Sequence, residues 1–237
     1  MSHHYIQFTD VHYSYPGGYE ALSGVSFRIT HGEKVALLGL NGAGKSTLLL
    51  HTNGLLLPSK GEVNVGDVPV RKKTLPLVRQ TVGMVFQNAD DQLFMPTVAD
   101  DVAFGPRNMG LPSDEVDRRV RRALEAVGAS ELAARPSFGL SGGQKRAVAI
   151  ATVLSMEPDI LVMDEPTANL DCAARRRLIE LLSGFGHTML VATHDLDMAL
   201  ELCPRAILLS RGRVAADGPT GALLADHQLL RSAGMEL

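Results

Sequence analysis

Gly39-Leu40-Asn41-Gly42-Ala43-Gly44-Lys45-Ser46 satisfies the phosphate-loop pattern G-x-x-x-x-G-K-[ST] at every fixed position. Glycines let the backbone turn tightly and gather several N–H groups around one anion. Lys45 offers a compact positive charge to β- and γ-phosphates, and the Ser46 hydroxyl can ligate Mg2+. The apolar run Lys34-Val35-Ala36-Leu37-Leu38 reads as a strand before the loop, and Ser46-Thr47-Leu48-Leu49-Leu50-His51-Thr52-Asn53 reads as a helix after it. That order aims a helix N-terminus at the phosphates. A glycine turn without a ligand would need neither the strand nor the helix.

Two further stretches offer complementary chemistry. Ile160-Leu161-Val162-Met163 is a continuous apolar run, as suits a strand covered on both faces, and it ends in Asp164-Glu165. Ligands of open α/β sheets bind at the carboxyl ends of strands. Asp164 is therefore a candidate Mg2+ ligand, directly or through water. Glu165 is a candidate to position and deprotonate the attacking water. Solvated acids at a strand end would look alike in isolation, but an upstream phosphate loop favours the functional reading. Leu140-Ser141-Gly142-Gly143-Gln144 opens another helix, with Ser141 and Gln144 at capping-box spacing. Its exposed N–H groups at a positive helix end make a second candidate anion site, although an ordinary capped helix would read the same way alone.

Taken in order, these motifs resemble those of the ATP-binding cassette ATPases over nearly the whole chain. Gly39 to Thr47 match the Walker A loop, Gln87 the Q-loop glutamine, and Leu140 to Gln144 the signature LSGGQ. Asp164 and Glu165 match the Walker B aspartate and catalytic glutamate, Ala168-Asn169-Leu170-Asp171 resembles the D-loop, and His194 matches the switch histidine. Tyr15 resembles the aromatic residue that stacks on adenine, with Tyr13 and Tyr19 near enough to replace it. The resemblance implies an α/β fold: a P-loop (RecA-like) ATPase core, an antiparallel β layer and an inserted helical signature subdomain. It implies one domain over 1–237, with a core lobe at about 1–88 and 156–237 and a helical lobe at about 89–155. ATP and Mg2+ are the implied cofactors. Gly39, Asn41, Gly42, Ala43, Gly44, Lys45, Ser46 and Thr47 would hold ATP, and Ser46, Gln87 and Asp164 would hold Mg2+. Glu165, His194 and Gln87 form the implied catalytic set. Cassettes of this kind pair head to tail, so Ser141, Gly142, Gly143 and Gln144 would act on the ATP of a second ATPase subunit, either a second copy of the chain or a paralogue. An isolated chain would then hydrolyse ATP poorly.

Composition narrows the partners. The net charge of −3 and isoelectric point near 6.2 give no basic footprint for nucleic acid. With 5% aromatic residues and no tryptophan, base-stacking platforms are disfavoured as well. Cys172 and Cys203 lack metal-ligand spacing and suit a reduced, cytosolic setting as small hydrophobes. His3-His4 are assigned no role. No apolar run is long enough to cross a bilayer, so service to a membrane would be from its cytoplasmic face through other chains.

Residues 5–9, 25–30 and 62–70 read as short strands of an antiparallel layer. Thr81–Phe86 is an apolar strand leading to Gln87, and from about 90 to 155 the pattern turns helical. Val116, Val120, Leu124 and Val127 repeat at helical spacing between Pro112-Ser113 and Gly128, with Arg118, Arg119, Arg121 and Arg122 on the solvated face. Strands return at 160–163, 188–192 and 206–209, Ser210-Arg211-Gly212-Arg213 is a turn, and 219–237 forms at most a short helix and tail.

The stretch from Gln87 to Pro106 resembles the ATPases of energy-coupling factor importers, above all the cobalt-type branch. Leu140 to Asp164 and Ala215-Ala216-Asp217-Gly218-Pro219 resemble that branch too. The resemblance implies a transmembrane coupling protein, a membrane substrate-capture protein, and cobalt, nickel or a vitamin such as biotin as cargo. The absence of a long C-terminal extension favours a metal or a compact biotin-type system. An ATPase of another ABC transporter remains the alternative. Asp90, Asp91, Leu93 and Phe94 are read as a groove for a partner helix, Met95 beside them, whereas Asp100 and Asp101 fit an ordinary acidic helix start after Thr97. Only 52 residues, 88–139, separate Gln87 from Leu140, too few for the long coiled coil of chromosome-maintenance ATPases. One cassette rather than two disfavours a translation factor.

Overall fold

A computed structural model describes residues 5–168 and 170–235. His3, His4 and Asn169 of the D-loop-like stretch lie outside the described residues. The chain divides into two compact units, one comprising the residues up to Val82, Asp159–Glu165 and Gly186 onward, the other Gly83–Pro158 and Pro166–Phe185.

The first unit opens with an antiparallel sheet. Its strands β1 (Ile6–Ser14) and β2 (Glu20–Ile29) pair with Ile6 opposite Ile29 and Phe8 opposite Phe27. The two phenylalanine rings stack at 4.7 Å. β3 (Lys34–Leu38) follows, and then helix α1 (Lys45–Thr52). β4 (Lys60–Val65) and β5 (Val68–Pro69) complete the first sheet in the order β2-β1-β4-β5, before α2 (Leu75–Thr81). β6 (Val82–Val85) marks the passage into the second unit.

β7 (Ile160–Asp164), β8 (Thr188–Ala192) and β3 lie parallel, with β3 between β8 and β9 (Arg205–Ser210) and β10 (Arg213–Pro219) antiparallel at the edge. Every residue of β7 and β8 is buried, which is why both read as apolar runs apart from Asp164 at the end of one and Thr188 at the start of the other. β10 escapes the pattern reading because it alternates exposed and half-buried small residues, as an edge strand does. Beyond α7 (Leu196–Leu202), the chain ends in two short helices, α8 (Thr220–Ala225) and α9 (His227–Ser232), rather than one.

The second unit is helical: α3 (Val98–Asn108), α4 (Ser113–Ala126), α5 (Gly142–Leu154) and α6 (Cys172–Ser183). Val98, Val102, Val116, Val120, Leu124 and Val148 form its core. α6 clusters here rather than with the strands that flank it in sequence. Two expectations change. Arg119 is not on the solvated face of α4: its side chain is 16% exposed, it pairs with Glu115 at 2.6 Å and Glu157 at 3.0 Å, and it donates to the Met156 carbonyl. Asp101 is no solvated helix start either. It is buried, and three donors from outside the helix converge on its carboxylate.

Candidate functional site

In the first unit, strand register gathers the chemistry. Ala192 of β8 pairs with Leu37 of β3 on one side and with Asp164 of β7 on the other. The three strands end level, so the loop after β3, Asp164-Glu165 and Thr193-His194 leave the sheet side by side. The phosphate loop depends on glycine at two positions. A Cβ on Gly39 would lie 2.2 Å from the Leu209 carbonyl oxygen, and one on Gly44, which caps α1 at φ 105°, would lie 2.6 Å from that of Ala21. The turn after β9 braces the loop as Gly212 N–H donates to the Ala43 carbonyl.

Lys45 is buried, and its ammonium donates to the carbonyls of Gly39 (2.7 Å) and Leu40 (3.2 Å). Burial pushes its pKa down, while the nearby carboxylates of Glu165 and Asp164 work in the opposite sense. Ser46 and Thr47 follow in the first turn of α1, with Ser46 exposed. Glu165 has φ 48°, in the left-handed region that costs a non-glycine residue about 1–2 kcal/mol. Its N–H donates to the Ala192 carbonyl. This bend holds a carboxylate that is only 5% exposed. The His194 backbone N–H donates to its Oε2 (3.2 Å), and His194 Nδ1 lies 2.8 Å from the same oxygen. Glu165 is thus fixed by neighbours from the adjacent strand end, as a general base must be.

The three tyrosines separate. Tyr15 Oη is 3.0 Å from Thr47 Oγ1. Tyr13 is committed to packing, edge-on to Tyr15 and to His51. Tyr19 donates to the Gly42 carbonyl at 3.2 Å and keeps its ring exposed. His51, unmarked in the sequence, is fully buried in α1 with Nδ1 2.7 Å from the Thr47 carbonyl, and burial pushes its pKa down. It is a packed ring.

In the second unit, the expected capping box is realised: Ser141 Oγ accepts from Gln144 N–H and Gln144 Oε1 accepts from Ser141 N–H. Gln87 is exposed at the end of β6. Three side chains that the pattern reading passed over organise its surroundings. Arg146, buried in α5, donates to the carbonyls of Phe86 and Gln87. Gln92 accepts from Phe86 N–H and donates to the Ala149 carbonyl (2.7 Å) and Thr152 Oγ1 (2.6 Å). Lys145 reaches Asp90 at 2.6 Å. The basic residues just after the signature were the available signal.

The expected groove changes accordingly. Asp90 is engaged by Lys145, Asp91 is exposed, and Leu93 turns inward to pack on the helical core rather than flooring a groove. Phe94 is 63% exposed and stands edge-on to Phe104 at 4.9 Å. Met95 is half-buried. Cys172 is exposed and Cys203 buried, its thiol pushed up to about 12 by burial. Among the described residues no helix is long and apolar enough to cross a membrane.

The family described as ABC transporter matches residues 22–168. A Geobacter sulfurreducens protein named as an ABC transporter ATP-binding protein is 61% identical over 236 residues, covering 100% of this chain and 95% of its own. The energy-coupling factor transporter ATP-binding protein EcfA of Methanocaldococcus jannaschii is 45% identical, over 98% of this chain and 85% of its own. Among solved structures, CbiO1 from Clostridium perfringens, part of the ABC transporter complex cbiONQ, superposes with a TM-score of 0.82 at 39% identity, over 98% of this chain and 95% of its own. A dimeric ATP-binding cassette in a post-hydrolysis state, bound to ADP and Pi, gives 0.83 at 29% identity, over 91% of this chain and 98% of its own. The chain belongs to the ABC transporter family and is one of its ATP-hydrolysing subunits.

Proposed function

We propose that this ATPase powers an energy-coupling factor importer whose cargo is a transition-metal ion, cobalt first and nickel next. The observation that carries the proposal is the likeness to CbiO1 across 98% of the chain, joined by the EcfA relatives. The segment from Gln87 to Pro106 supports the same branch. Two copies of the chain pair, a reading that the dimeric cassette structures support, and they do so in the head-to-tail arrangement that the motif resemblance implies. They work at the cytoplasmic face of the membrane with a transmembrane coupling protein and a substrate-capture protein.

The residues divide the work. Lys45 and the loop amides bind the phosphates, and Tyr15 or Tyr19 meets the adenine. Among the described residues no group of three His, Cys, Asp or Glu side chains could hold a metal ion alone. The donors that Ser46 and Asp164 offer are oxygens, the type that suits Mg2+, a hard cation that shares its shell with substrate phosphates. When bound, Mg2+ neutralises phosphate charge. Gln87 is assigned to Mg2+ on resemblance alone. Glu165 accepts the proton of the attacking water, and His194 holds the carboxylate in place. Ser141 and its neighbours serve the ATP of the paired subunit.

Affinity purification from solubilised membranes, followed by uptake of Co2+, Ni2+ and biotin by the reconstituted complex, tests the proposal. ATP-dependent Co2+ or Ni2+ uptake is expected. Biotin uptake alone, or co-purification with membrane proteins of another transporter type, would overturn it.

A further inference from the structure

We infer that Asp101 is a positioning residue that ties the Phe94 loop to the turn entering the signature helix, so that a partner seated on Phe94 is felt at Ser141. The inference rests on the proposed importer function, with exposed Phe94, read from the sequence as part of a groove for a partner helix, taken to seat the transmembrane coupling protein.

Asp101 lies in the first turn of α3, yet its side chain does not serve that helix. Thr97 caps α3 by accepting from Asp100 N–H, while Val98 and Ala99 N–H donate to the carbonyls of Arg135 and Ala133. The Asp101 carboxylate is spent elsewhere. Oδ1 accepts from the N–H groups of Phe94 and Met95, both at 2.9 Å. Oδ2 accepts from Ser137 Oγ at 2.6 Å. Asp101 is 3% exposed and Ser137 6%, so solvent does not compete for these bonds.

One buried carboxylate thus joins two segments, 94–95 and 137, that are remote in sequence. Both segments reach the surface at once: Phe94, whose N–H is part of the joint, is 63% exposed, and Phe138, one residue past Ser137, is 86% exposed. From Ser137 the chain reaches the signature at once. The Ser137 carbonyl accepts from Leu140 N–H, and the next residue, Ser141, caps α5. The path from the docking loop to the signature cap is therefore a pair of N–H···O bonds, one carboxylate, one hydroxyl and a single tight turn. The exposed Lys145–Asp90 pair links the same regions, but an exposed pair transmits little.

Two variants separate transmission from folding. Ser137→Ala deletes only the arm toward the turn. Asp101→Asn can rebuild the joint, because its carbonyl accepts both amides and its NH2 donates to Ser137 Oγ. In the isolated chain, hydrogen exchange of amides 138–141 should quicken about tenfold or more in Ser137→Ala and stay near wild type in Asp101→Asn. In the intact complex with its membrane proteins, Ser137→Ala should associate normally and keep the basal ATPase rate. It should lose about fivefold or more of the stimulation that the membrane proteins confer, and Asp101→Asn should keep it. Unchanged exchange, or wild-type stimulation in Ser137→Ala, overturns the inference. So does a loss of stimulation that follows from lost association. The docking reading is judged separately by Phe94→Ala. Normal association of that variant rejects the docking surface, and with it the partner's part in the inference, while the exchange result still decides whether Asp101 ties the segments.

Discussion

In the first unit, Asp164 and Glu165 are buried at the end of β7 and Lys45 is buried where α1 begins after the loop that follows β3, and the register of the parallel strands sets that loop and the acids side by side. In the second, Gln87, Asp90 and Gln144 stay at least partly open to solvent, and side chains from α5 and α3 hold the segments that carry them. Strand register is insensitive to any one side chain. A scaffold built from single side-chain bonds fails when one is removed. Substitutions at the buried acids of the first unit should therefore remove chemistry and spare the fold, and those at the buried side chains that brace the second, such as Arg146, should loosen the fold.

The largest effect belongs to Glu165. In Glu165→Gln the amide oxygen can still accept the His194 N–H but takes no proton, so steady-state hydrolysis should fall by about 10² or more with ATP affinity retained. A near-normal rate would remove Glu165 as the base. Next comes Arg146→Ala, which leaves the Phe86 and Gln87 carbonyls without their charged donor. Urea unfolding should show a loss of about 2–3 kcal/mol. A loss under about 0.5 kcal/mol would break the contrast between the units. The smallest effect is that of Asp90→Asn. Its pair with Lys145 is exposed, so stability should change by less than about 1 kcal/mol. Because Lys145 already engages Asp90, Asp91→Asn should weaken association with the membrane proteins more than Asp90→Asn does. Equal or opposite effects in a pull-down would show that Lys145 releases Asp90 in the complex.

The same contrast explains what the sequence made legible. The loop and Asp164-Glu165 follow from their motifs and the strands around them from contiguous apolar runs, since a strand covered on both faces is predominantly apolar. The capping box at Ser141 follows from local spacing. β10 did not, because an edge strand of small, half-exposed residues has no apolar signature. Nor did Asp101, Gln92 and Arg146, whose partners lie from 6 to 60 residues away. Helical periodicity marks which face is buried but not which buried polar group meets which. Arg119 was misplaced for the same reason: its burial comes from Glu157 and Met156, well outside α4. Leu93 was misread likewise, because it packs against a core built from residues of α3, α4 and α5.

The central claim is that Lys45 and Ser141 act on different ATP molecules, Lys45 on that of its own subunit and Ser141 on that of the paired subunit. It is tested most directly by mixing a Lys45→Ala chain with a Ser141→Arg chain and measuring hydrolysis once mixed dimers are demonstrated. Head-to-tail pairing leaves one composite site with both defects and one with neither, so the mixture should regain a clear share of wild-type activity. Mixed dimers no more active than either variant alone would contradict the account.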